Sequence, residues 1–185
     1  MAEDEFYPDG HSEKVKKDSA LSRRSMAFYE ASGQTSYKRY NFHWLGDNCF
    51  IYTVGNTYHI FDAETGERKI FHGTDTDGVG SITVHPSKKF FVVAEKGVNP
   101  NVYIYEYPTM KLYRILRNGT EFAYAHVEFS ADGTKLATLG SNPDYTLTVW
   151  DWVNEKVVQA TKAFSQEIYK VSFSPFTDSV LFTCG

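Results

Sequence analysis

The sequence predicts an all-β chain of short antiparallel strands, made by repeating one four-stranded unit. Three observations lead there. Aromatic residues are 16% of the 185, mostly 14 Phe and 13 Tyr, and together with many Val and Ile they favour strands over helices. From Tyr37 onward, short runs alternate apolar and polar side chains between turn residues, and helical spacing is hard to find. The same strand-turn-strand pattern then returns four times.

Residues 1–36 precede that texture. They are rich in charge, Ser and Gly without a sustained period, and read as a flexible leader. The repeats occupy 37–185: RYNFHWLGDNCFIYTVG from Arg39, SITVHPSKKFFVVAEKG from Ser81, HVEFSADGTKLATLGS from His126 and KVSFSPFTDSVLFTCG from Lys170. Aligned on Phe42, Val84, Phe129 and Phe173, they are spaced by 42, 45 and 44 residues. A third strand follows in the first three copies, ending at Asp62, Glu106 and Asp151, and then an outer strand, ERKIF, MKLYRIL or EKVVQA. Four strands recurring every 40 to 45 residues is the period of a β-propeller blade.

The fourth copy has two strands and no third. Three blades and half of a fourth cannot close a ring, for which about four blades is the minimum, and a propeller blade buries its faces against two neighbours. The expectation is therefore an N-terminal part of a larger propeller, seen as a fragment, short isoform or truncated gene model, with exposed apolar faces and an unpaired edge.

In the third copy, SNPDYTLTVWD from Ser141 to Asp151 resembles the third-strand signature of WD40 repeats. That resemblance implies structural roles: Asp144 in the turn before the strand, hydrogen-bonding turn backbone; Trp150 packed between blades; Asp151 closing the signature. Phe61-Asp62 and Tyr105-Glu106 stand where Trp-Asp would in the other copies, and Gly119-Thr120 lies closest to the usual Gly-His pair. Over roughly Tyr37 to the C-terminus, three linked blocks with unusual fillers, AEKGVNPNVYIYE, LRNGTE and TKAFSQ, are similar to the axonemal WD-repeat proteins of cilia and flagella.

The residues themselves exclude several functions. A formal net charge of −4 offers no general attraction to nucleic acid or an anionic membrane. The acidic start MAEDEFYPDGHSEK lacks the pattern of a secretory signal. The longest apolar run, FFVVA, is far below the roughly 18–20 residues of a spanning helix. Cys49 and Cys184 suggest no disulfide framework and fit a reducing compartment, and both are expected to be buried, inert thiols. No His pair has metal-ligand spacing, and His85 before Pro86 reads as a turn residue like Ser174 before Pro175. Asp75, Asp77 and Gly78 resemble part of a calcium loop, but with Gly78 at the invariant glycine the last ligand position falls on Val84 instead of Glu. Gly78-Val79-Gly80 precedes no helix, so it is no phosphate cradle. No nucleophile, base and orienting acid can be nominated, so neither catalysis nor a cofactor is expected.

One basic feature stands out in the leader: Lys14, Lys16, Lys17, Arg23 and Arg24. Its functional reading is contact with an acidic partner or a basophilic phosphorylation site at Ser25. Its plain reading is a solvated segment, since Glu3, Asp4, Glu5, Asp9, Glu13 and Asp18 lie there too.

The resemblance implies a non-catalytic scaffold in cytoplasm, cytoskeleton and axoneme. It implies a subunit of the tether and tether head that links the motor heads of inner-arm dynein f (I1) to the doublet microtubule, with a related WD-repeat tether subunit, the dynein and the tubulin lattice as partners. A generic cytoplasmic WD scaffold, an echinoderm-microtubule-associated-type lattice binder and a hydrolase bearing a propeller remain as alternatives.

Overall fold

A computed structural model describes residues 39–74, 77–162 and 166–185. The leader, with its five basic residues, lies outside them. The first sheet comprises β1 (Phe42–Trp44), β2 (Cys49–Val54), β3 (Thr57–Asp62) and β4 (Arg68–His72). The second comprises β5 (Gly78–Val84), β6 (Phe90–Lys96), β7 (Val102–Glu106) and β8 (Leu112–Leu116). The third comprises β9 (Tyr124–Phe129), β10 (Leu136–Gly140), β11 (Leu147–Asp151) and β12 (Lys156–Thr161), and a two-stranded sheet pairs β13 (Lys170–Phe173) with β14 (Leu181–Cys184). Every pairing is antiparallel between sequence neighbours. Each sheet is therefore a simple meander. No helix occurs among the described residues.

The sheets meet through their first strands, β1 against β5, β5 against β9 and β9 against β13. That succession is a set of blades about a common axis, with β4, β8 and β12 on the outside. Alternation along each strand sends side chains to both faces, and each seam is an apolar layer. Leu45, Ile51 and Ile60 of the first blade pack on Ile82, Phe91 and Val93 of the second. Val92, Val102 and Ile104 pack on Phe129, Leu136 and Trp150 of the third. Ala137, Leu139 and Leu147 of the third then meet Val171 and Phe173 of the fourth sheet.

Pairing corrects the alignment of the first copy. Val84 pairs with Phe91, Phe129 with Leu136 and Phe173 with Leu181, but the matching pair in the first sheet is Trp44 with Phe50. Trp44, and not Phe42, is thus the counterpart of Val84. The cause is turn length: three residues separate the hydrogen-bonded Leu45 and Cys49, four separate His85 from Phe90 and Ser130 from Lys135, and five separate Ser174 from Val180. A slip of two residues keeps every side chain on its face, so an alternating pattern cannot detect it.

The expected burial of both cysteines also fails. Cys49 is half-buried at the outer part of the first seam and Cys184 is exposed. Cys184 pairs with Lys170 on a sheet of two strands, and it lies on the face opposite Val171 and Phe173, which fill the seam.

Candidate functional site

In the third blade, polar groups are arranged at the top of the seam around Trp150. Its Nε1–H donates to Thr138 Oγ1 at 2.9 Å, in the buried interior, and the Thr138 hydroxyl donates in turn to the Thr148 carbonyl at 3.4 Å. Asp144, in the turn between β10 and β11, accepts from the Thr120 hydroxyl at 2.9 Å, the Glu121 amide at 3.1 Å and the Thr146 hydroxyl at 3.2 Å. One carboxylate therefore joins its own turn to the loop that enters the blade. Two glycines leave room for it: a Cβ on Gly140 would lie 2.5 Å from Thr120 Oγ1, and one on Gly119 would lie 2.5 Å from the Tyr124 hydroxyl.

The second blade makes a comparable connection from a different position. Glu95 is fully buried on β6. By strand pairing it is the counterpart of Gly140, since Phe91 and Leu136 match and each lies four residues earlier. Its carboxylate accepts the backbone N–H of Thr74, and the Thr74 hydroxyl lies 3.1 Å from that of Tyr105, the counterpart of Trp150. Gly73-Thr74 thus plays the part of Gly119-Thr120, with the acid moved from the turn to the strand. Sequence reasoning did not single out Glu95 or Gly73-Thr74. The usable signal was the recurrence of Gly-Thr 46 positions apart.

The acidic residue that ends each third strand has one recurring use. Asp151 accepts from the Asn154 amide at 3.2 Å and side chain at 2.9 Å. Asp62 accepts from the amides of Glu64 and Thr65 at 2.9 and 3.1 Å, and Glu106 accepts the Thr109 hydroxyl at 2.9 Å. Each holds the turn to the outer strand. The bonds from Asn154 lower the pKa of Asp151, and those from Thr65 and Glu64 lower that of Asp62.

At the opposite end of the second seam, His85 does more than occupy a turn. Its Nδ1 accepts the Ser87 amide at 3.0 Å, which leaves the proton on Nε2 to reach the Gly133 carbonyl at 3.1 Å. Trp152 Nε1–H donates to the same carbonyl at 2.9 Å. The His85 ring meets Phe129, Trp152 and Phe90 edge-on, with centroids 4.9 to 5.9 Å apart. Other polar ties cross the seams: Asn41 accepts the Ile82 amide at 3.1 Å, Arg114 donates to the Val153 carbonyl at 2.9 Å, and Lys135 pairs with Asp178 at 2.7 Å.

The inner strands border an open cavity of about 310 Å³ whose lining includes Tyr40, His43, Thr83, His126, Glu128 and Lys170. His126 is 3% exposed, and its Nδ1 has no hydrogen-bond partner among the described residues. Burial, with Lys170 and His43 nearby, pushes its pKa down to about 4. His43, whose Nε2 lies 2.7 Å from the Tyr40 carbonyl, is also shifted down, mainly by burial. Glu128 accepts the Ser172 hydroxyl at 2.7 Å, and the Lys170 ammonium lies 5.0 Å from the Tyr40 ring centroid. Among the described residues no group of three or more His, Cys, Asp or Glu could hold a metal.

Four-stranded meanders joined inner strand to inner strand, with Trp-Asp ending the third strand of one blade, define the class: this is a WD-repeat β-propeller chain. No protein-family model matches it. It is 44% identical over 153 residues, 83% of the chain, to cilia- and flagella-associated protein 44 of Mus musculus. To the protein of the same name from Chlamydomonas reinhardtii it is 38% identical over 160 residues, again 83% of the chain. It is also 23% identical, over 80% of its length, to echinoderm microtubule-associated protein-like 1 of Homo sapiens. The matched residues are WD-repeat sequence like that of cilia- and flagella-associated protein 44. The chain spans only 8% of the length of the mouse relative and 9% of the algal one.

Proposed function

We propose that residues 37–185, following a leader at 1–36, form part of a WD-repeat propeller that acts without chemistry of its own as an axonemal scaffold. The observation carrying this reading is the 44% identity to a cilia- and flagella-associated protein across 153 residues, sustained at 34% over 142 residues in Trypanosoma brucei brucei. The finer reading is a subunit of the tether and tether head that links the motor heads of inner-arm dynein f (I1) to the doublet microtubule. Its partners would be that dynein, the tubulin lattice and a related WD-repeat subunit. Similarity of 27% over 133 residues to cilia- and flagella-associated protein 43 of Xenopus laevis supports a shared blade architecture for such a pair. Mechanically, three polar-tied seams make a stiff frame, and a stiff frame can limit motor-head travel and relay displacement. The structural roles of Asp144, Trp150 and Asp151 and the acidic contact of Lys14, Lys16, Lys17, Arg23 and Arg24 belong to the same proposal.

The test is expression of a tagged chain in a ciliated cell. Retention in detergent-extracted axonemes with co-precipitation of inner-arm dynein f heavy chains is the expected result. Co-sedimentation with purified microtubules and no dynein-arm component would instead favour a generic lattice-binding scaffold, the reading that similarity to the echinoderm microtubule-associated proteins supports.

A further inference from the structure

We propose that the cavity between the inner strands is an oxyanion site, filled by a carboxylate side chain of an acidic protein segment. Two nitrogen atoms there have no hydrogen-bond partner among the described residues. Lys170 Nζ has no carboxylate partner among the described residues, resting near the Tyr40 ring face, and His126 Nδ1 is buried and unpartnered. Both residues line the same cavity, and the Lys170 charge disfavours protonation of the imidazole. A carboxylate reaching Lys170 would gain a charge-assisted hydrogen bond, and it would also accept from His126 Nδ1 whenever that nitrogen carries a proton.

The neighbours set what kind of anion fits. Glu128 already takes the Ser172 hydroxyl at 2.7 Å, and its negative charge works against a multiply charged group. A single carboxylate on an apolar stem fits better, because Val84, Pro86 and Phe129 line the same cavity and can cover methylenes. The volume of about 310 Å³ is near the low end of ligand sites and suits one or two side chains. Bound anion would also offset Lys170 and make protonation of His126 easier. The titratable and charged groups facing that ring are His43 and Tyr40 from the first blade, Glu128 on its own strand and Lys170 on β13, with Lys88 beside His43. Occupation should therefore be tighter below neutral pH.

The test uses the whole chain, selectively labelled at histidine, titrated with a ten-residue glutamate-rich peptide while the His126 Cε1–H resonance is followed. Saturable movement of that resonance is expected, with a rise in the His126 pKa. The glutamine-rich counterpart should leave it still. Lys170→Gln should weaken binding at least about tenfold, and Lys170→Arg should restore most of it, with near-ultraviolet circular dichroism confirming that both variants fold. Inorganic phosphate moving His126 as effectively as the peptide would overturn the protein-segment source. An unmoved His126, or peptide binding unaffected by Lys170→Gln and lost on neutralising the leader lysines and arginines, would overturn the site itself.

Discussion

His85 Nε2 lies 3.1 Å from the carbonyl oxygen of Gly133, a hydrogen bond that ties the second blade to the third. Gly133 has φ of 75°, and a Cβ added there would come 2.2 Å from His85 Nε2. Gly133→Ala should therefore combine backbone strain of about 1–3 kcal/mol with displacement of the histidine ring. In a chain of this size the expected cost is a fall in Tm of several degrees, read by thermal melting. His85→Gln, which keeps a donor but not the ring, should cost less than Gly133→Ala.

The buried Trp150 has its indole N–H accepted by Thr138. Thr138→Val preserves shape but leaves the indole N–H without its acceptor in a buried seam, which should destabilise by about 1–3 kcal/mol in denaturant unfolding. Trp150→Phe in the same background removes the stranded donor, so its additional effect should be smaller than in the native chain.

Asp144 and Glu95 should produce local signatures in different blades. Asp144→Ala frees the Glu121 amide and both partner hydroxyls, so hydrogen exchange should accelerate at Glu121 while Thr74 stays protected. Glu95→Leu should reverse that outcome, exposing the Thr74 amide and sparing Glu121.

Stability should fall between about pH 6.5 and 4 before the carboxylates titrate. The His126 pKa is pushed down to about 4 by burial and by Lys170 and His43, and those of His43, His59 and His85 are also lowered. A folded pKa below the unfolded value means that the unfolded chain takes up protons first. Stability is therefore complete above about pH 6.5 and is lost as pH drops toward the folded pKa. His126 alone accounts for about 3 kcal/mol. Denaturant unfolding at pH 7, 5.5 and 4.5 measures it, and His126→Asn should flatten the slope.

The two thiols should differ in rate. Exposed Cys184 should react with iodoacetamide well before Cys49, whose partner Tyr107 is pushed up to about 12 by burial and by the thiol beside it. Peptide mass spectrometry after brief alkylation distinguishes them.

Much of this molecule is written in one dimension. Alternation and a period near 44 define β1 to β14 and their meander order, because a strand's two faces and its turns are local properties of the chain. The Trp-Asp end at Trp150 and Asp151 is legible for the same reason. Register in the first copy is not, since a two-residue slip preserves every face and only the shorter turn after Trp44 decides it. Nor is the partnership of Glu95 with Thr74 or of His85 with Gly133, or the placing of His126 and Lys170 on one cavity. Those residues come from different blades or from a strand and the loop that enters its blade, and they meet only because successive sheets are stacked about an axis, a relation that no local pattern encodes.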